Sequence, residues 1–80
     1  MQQLSPRQRD VLTALAAVCK RSFDEIKPQN KLAADLGMDS AKGLQFLMEL
    51  EEKYKVVIPD EDAARMETVR DILKYVEAQS

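Results

Sequence analysis

Apolar residues recur along this chain at helical spacing in three stretches, and none alternates long enough for a sheet. The first stretch puts Val11, Leu12, Leu15, Val18 and Cys19 on one stripe. It opens with Ser5-Pro6-Arg7-Gln8. There serine caps, proline fits the first helical position and glutamine completes a capping box. A helix from Pro6 to about Lys20 is predicted. The second stretch begins at Ser40 and runs to about Lys55. At about 100° per residue, Leu44, Phe46, Leu47, Met48, Leu50 and Tyr54 span an arc of roughly 200°, about twice what packing on one side requires. Leu44 and Met48 lie at the edge of that arc. They either stay exposed as a docking surface rimmed by charge, or the helix is buried on two sides. The third stretch places Val69, Ile72, Leu73 and Val76 at i, i+3, i+4 and i+7. Thr68 and Asp71 form a capping box at its start.

Between the first two stretches, Arg21 to Asp39 form a long connection that Pro28 keeps from being helical. Phe23, Ile26, Leu32 and Leu36 are expected to pin it to the core, because a loop this long in a small domain is usually functional or self-packed. Val56-Val57-Ile58-Pro59 is too short for a useful strand. Asp60 to Met66 reads as one or two helical turns, with acids at the end that the helix dipole favours. The expectation is an all-α fold: a small bundle of three main helices plus one short helix, with the long loop between the first two. With 80 residues the chain has room for a single free-standing domain, residues 1–80, that acts as a monomer.

The turn Asp35-Leu36-Gly37-Met38-Asp39 delivers Ser40 to the head of the second helix. A hydroxyl there sits beside unpaired backbone N–H groups and the positive end of the helix dipole, an environment that suits a phosphate ester. The ordinary alternative is that Ser40 simply caps the helix.

Charge sharpens this picture. The net charge is −2 with a pI near 5.1, which argues against a nucleic-acid footprint. Residues 1–40 carry six basic and five acidic side chains, and residues 41–80 six and nine, so the acid is concentrated in the second half. An acidic patch near Ser40 would attract basic partners, or it is simply a solvated helix face. The sequence has no histidine, which removes histidine triads and the commonest general base. No glycine-rich phosphate loop is present, and Asp60-Glu61-Asp62 lacks the spacing of a calcium loop. A catalytic site and a resident metal are therefore not expected. Cys19 is the single cysteine and lies on the buried stripe, where it reads as a small core hydrophobe. The first residues lack a basic region followed by an apolar core, and no apolar run is long enough to span a bilayer. A soluble, reducing compartment is the expectation: the cytoplasm, or an organelle interior after processing.

Gly37-Met38-Asp39-Ser40, then Leu44, Leu47 and Leu50-Glu51-Glu52, then Ile58-Pro59-Asp60-Glu61-Asp62, resemble the acyl carrier protein family. The resemblance runs from about Leu32 to Val76. It implies that Ser40 carries 4′-phosphopantetheine from coenzyme A, with an acyl group held on the distal thiol as a thioester. It implies that a phosphopantetheinyl transferase recognises Asp39 and attaches the group. It also implies that acyl-transferring and chain-extending enzymes of fatty-acid, polyketide or related synthesis dock on Ala41, Leu44 and Met48. Glu49, Glu51, Glu52, Asp60 and Glu61 would meet basic patches on those enzymes. Such a carrier needs, besides the hydroxyl, an adaptable apolar core that an acyl chain can enter. The chain departs from the family pattern just after the serine, where Ala41, Lys42 and Gln45 replace an apolar residue and outward acids. This departure predicts a specialised carrier with its own partners, since a lysine there disfavours a basic patch. An aminoacyl or peptidyl carrier is the neighbouring alternative, which the acid before the serine disfavours. A helical protein-interaction module, plain or switched by phosphorylation of Ser40, is the alternative from a different class. Gly43, inside the second helix, costs roughly 1 kcal/mol against alanine and has no assigned reason in the sequence.

Overall fold

The computed structural model describes residues 4–79, and everything below concerns these residues. Four α-helices follow one another: α1 (Pro6–Cys19), α2 (Ser40–Tyr54), the short α3 (Asp60–Ala63) and α4 (Val69–Gln79). A single 3₁₀ turn, Phe23–Glu25, interrupts the long connection. No named strand occurs among the described residues; one isolated antiparallel bridge joins Lys31 to Thr68. The expected all-helical bundle with three main helices and one short one is therefore what forms.

The caps explain the boundaries. Ser5 Oγ accepts the Gln8 N–H at 3.2 Å, and Gln8 Oε1 accepts the Ser5 N–H at 2.9 Å. The Gln8 amide also donates to the Leu73 carbonyl at 3.4 Å, so the one buried polar side chain ties α1 to α4. At α4, Thr68 and Asp71 make the predicted reciprocal pair at 3.1 and 3.3 Å. α1 and α2 both end on a lysine in the left-handed region, Lys20 at φ 58° and Lys55 at φ 59°. Glycine is the residue such ends usually take.

α1 is the element around which the others pack; it touches both α2 and α4. Val11, Leu15, Leu50, Val69, Ile72 and Val76 are its best-buried contributors and neighbours. Cys19 lies buried in the same cluster, and burial raises its thiol pKa, as suits a core residue. Val56 and Ile58 point inward while Val57 is 62% exposed, so this short extended piece seals the core without forming a strand.

The long loop is pinned in two ways. Ile26 and Leu36 are buried, and Phe23 and Leu32 pack against the core, as the pattern predicted. Its backbone does more than the sequence suggested. The carbonyls of Pro28 and Asn30 accept the N–H groups of Arg70 and Val69 at 2.9 and 3.0 Å. Those two donors belong to the first turn of α4, where the helix itself offers them no acceptor, so the loop serves as a cap. The Leu32 N–H donates in turn to the Glu67 carbonyl at 2.9 Å.

Candidate functional site

The site is the head of α2. Residues 31–37 wind into a compact turn in which Gly37 N–H bonds Ala33 O at 3.1 Å, inside the wider Met38 N–H to Leu32 O bond at 2.9 Å. Closing it requires φ 69° at Gly37, a conformation glycine adopts at little cost. The Asp35 carboxylate holds the start of this turn by accepting the Lys31 N–H at 2.7 Å. Arg21 braces it from the end of α1, donating to the Asp35 carbonyl at 3.2 Å.

Asp39 then caps α2. Its carboxylate accepts the Lys42 N–H at 2.8 Å, and its carbonyl accepts the Gly43 N–H at 2.7 Å. Ser40 is the first residue inside the helix and is exposed. The capping role that Ser40 could have filled is thus taken by Asp39, and the serine hydroxyl is left for other use. The N–H groups of Ser40 and Ala41 have no partner among the described residues. A phosphate ester on Ser40 would find these donors and the positive end of a 15-residue helix beside it. The residues present therefore fit a phosphate-linked group.

Beside this head lies an apolar cavity of about 410 Å³. Asp39 and Gly43, close in sequence to the serine, line it together with Phe46, Leu47, Met66 and Ile72. A Cβ at Gly43 would meet nothing within 4 Å. So no close backbone contact demands this glycine; what it does is leave the cavity wall one methyl thinner, three residues below Ser40.

The outward face of α2 is partly apolar. Leu44 is 59% and Met48 50% exposed, with exposed Ala41 above them. Glu51 and Glu52 are exposed at the far end of the same face, and Asp60 and Glu61 are exposed in α3. Glu49 does not join this strip. It lies on the flank of the helix, one quarter exposed, and binds Lys53 at 3.0 Å. Sequence spacing could have shown this, since Glu49 and Lys53 are an i, i+4 pair. The capping role of Asp39 was also there to be read, because aspartate before a helix is a preferred cap. Among the described residues no group of three or more His, Cys, Asp or Glu is placed to hold a metal ion.

A hydroxyl offered at a helix head, beside an apolar cavity, defines a scaffold suited to presenting a phosphate-linked group. Residues 9–76 match the family described as "Phosphopantetheine attachment site". The chain is 38% identical over 74 residues to an acyl carrier protein of Chlorobium phaeobacteroides, covering 92% of this chain and 91% of the relative. It is 42% identical over 55 residues to one of Helicobacter hepaticus, covering 69% and 72%. A solved structure of a candidate acyl carrier protein from Mycobacterium tuberculosis superposes with a TM-score of 0.77 at 26% identity, covering 92% of this chain and 99% of that one. Another, from Anaplasma phagocytophilum, superposes at 0.79 with 28% identity, covering 100% and 96%. The chain belongs to the acyl carrier protein family: it is a carrier with covalently attached 4′-phosphopantetheine, and not an enzyme. Membership brings with it a phosphopantetheinyl transferase and acyl-handling enzymes as partners. Among the described residues no helix is long and apolar enough to cross a membrane.

Proposed function

We propose that Ser40 is the attachment point and that the protein carries acyl groups for a specialised branch of fatty-acid, polyketide or related synthesis, as a cytoplasmic monomer folded as one domain over residues 1–80. The observation that carries this reading is the division of labour at the head of α2: Asp39 caps, and Ser40 is left exposed in the first turn. When bound, the group supplies a distal thiol that holds an acyl chain as a thioester. The chain's own residues do the rest. The N–H groups of Ser40 and Ala41 stabilise the phosphate, and the dipole of α2 favours its charge. The Asp39 carboxylate fixes the helix start and offers the transferase a charged landmark next to the nucleophilic oxygen. Leu44 and Met48 give partner enzymes an apolar contact, with Glu51, Glu52, Asp60 and Glu61 as charged surroundings. The cavity below Gly43 shelters the acyl chain from water, each methylene that enters gaining about 0.8 kcal/mol.

The departure at Ala41, Lys42 and Gln45 supports dedicated partners over the housekeeping set. The deciding experiment is incubation with coenzyme A and a broad-specificity phosphopantetheinyl transferase, followed by intact mass. One addition on the wild type and none on Ser40→Ala is the expected result. An unchanged wild-type mass with several transferases would return the chain to the class of helical interaction modules.

A further inference from the structure

Beyond α2 the chain runs extended through Val56, Val57 and Ile58, with the outer two side chains buried and Val57 62% exposed. The Val56 N–H donates to the Leu50 carbonyl at 3.0 Å. The other N–H and C=O groups of these three residues have no hydrogen-bond partner among the described residues. An extended piece with unpaired main-chain groups is a template for a second extended strand. Beside it Arg7, Lys55, Val56, Val57, Tyr75 and Val76 line a cavity of about 240 Å³. Arg7 and Lys55 are exposed, and neither forms an ion pair among the described residues. Asp62, which acts on the half-buried Tyr75 phenol, pairs with neither of them. The 15 residues of α2 put about 22 Å between Ser40 and this corner.

We propose that this corner binds an extended acidic segment of a partner protein. The segment pairs main chain to main chain with Val57, seats an aliphatic side chain in the cavity and sets its carboxylates against Arg7 and Lys55. Main-chain pairing supplies the affinity in such a contact, and the charges choose the partner. A second copy of this chain, joined through the same segment, would set two pairs of cations against each other, so charge disfavours it. A basic segment could form the main-chain bonds but would be repelled by both cations. The position gives the contact its use. A partner held here leaves the serine end open, so the protein stays tethered while its serine meets other enzymes at a raised effective concentration. The peptide site stands apart from the carrier reading; its use as a tether rests on that reading.

The test uses the isotope-labelled full chain and a set of capped heptapeptides, read by amide chemical shifts. One peptide alternates glutamate with valine. A second has lysine in place of glutamate, and a third is the acidic peptide N-methylated at its three central residues. The acidic peptide should move the amides of Arg7, Val57 and Ile58 and bind about three- to tenfold more tightly than the lysine peptide at low salt. High salt should remove that preference, and the N-methylated peptide should not bind. The double variant Arg7→Gln, Lys55→Gly should lose the preference too; the left-handed backbone at Lys55 accepts glycine, so the fold is kept. Equal binding of the acidic and lysine peptides at low salt, full binding of the N-methylated one, or shifts centred on the serine end of α2 would each overturn the proposal. The same amide shifts with inorganic phosphate alone would also overturn it, by reducing the corner to a small-anion site. Loading of Ser40 by a phosphopantetheinyl transferase should run at an unchanged rate with the acidic peptide bound, and slower loading overturns the tether. A chain that binds the acidic peptide but never loads fails the carrier reading and the tether with it, while the peptide site stands.

Discussion

The chain's two glycines are both open to an added methyl, yet alanine should have opposite effects at the two positions. At Gly43 and at Gly37 a Cβ would meet nothing within 4 Å, so neither substitution carries a packing penalty. The backbone decides the sign. Gly43 lies inside α2 in ordinary helical conformation. Alanine there loses less conformational freedom on folding and should stabilise by about 0.5–1 kcal/mol. Gly37 sits at φ 69°, where a side chain costs about 1–2 kcal/mol, partly offset by the stiffer unfolded chain. For a domain of this size 1 kcal/mol moves the melting point by about 4–8 °C. Thermal melts followed by circular dichroism on the unmodified protein should therefore place Gly43→Ala about 2–8 °C above wild type and Gly37→Ala several degrees below. The reasoning is refuted if Gly43→Ala melts at or below wild type, for then something besides the cavity wall requires the glycine. If it is more stable as expected, glycine at this position is tolerated for function. The added methyl should then reduce the rise in melting point that a loaded acyl chain produces.

Other outcomes follow from the caps and the charges. Asp39→Ala should cost about 1 kcal/mol of stability, whereas Asp39→Asn should keep it, since asparagine caps as well as aspartate. Slower loading by a phosphopantetheinyl transferase in both variants would assign the charge to recognition, and loading that tracks melting point alone would assign it to folding. Lys55→Gly should raise stability by about 1 kcal/mol, read by denaturant midpoint, because it relieves the left-handed lysine that ends α2; no change would mean the lysine makes up for its conformation. The N–H groups of Glu67 and then Thr68 hold the Asp71 carboxyl below its ordinary value. Its stabilisation is therefore present above the usual carboxylate range near 4 and is lost as pH falls through the lower folded value. Melting points from pH 6 down to about 2.5 should fall more steeply for wild type than for Asp71→Asn, and parallel curves would discard Asp71 as a contributor.

Most of the fold was legible because short-range rules carry it. The i, i+3, i+4, i+7 spacing of Val69, Ile72, Leu73 and Val76 and the Thr68–Asp71 pair need only neighbouring residues, and both appear as read. The connection from Arg21 to Asp39 was legible only in its side chains. Ile26 and Leu36 announce burial by being apolar. Nothing in the residue types of Pro28 and Asn30 announces that their carbonyls will cap α4, some forty residues on, because every residue carries the same carbonyl. The 3₁₀ turn at Phe23–Glu25 was missed for a different reason. Its Ser22–Glu25 capping pair stands in plain sight, but no apolar period follows it to suggest a helix.

At the site the same boundary between local and distant information applies, and it bears on what Asp39 and Ser40 each do. Sequence alone leaves two residues competing for one cap, since serine and aspartate serve almost equally well there. The competition is settled by where the turn closes. Gly37 in the left-handed region and the Met38–Leu32 bond bring the chain round so that Asp39, not Ser40, stands extended at φ −134° with its carboxylate over Lys42 N. One residue's shift in that closure would make Ser40 the cap and draw its hydroxyl onto a backbone N–H. The free hydroxyl thus depends on the geometry of a turn that ends before it. Arg21 reaches that turn from the end of α1 and fixes its Asp35 carbonyl. Arg21 thereby ties the end of α1 to the presentation of the serine, since its side-chain donor braces the turn that sets Asp39 over the Lys42 N–H.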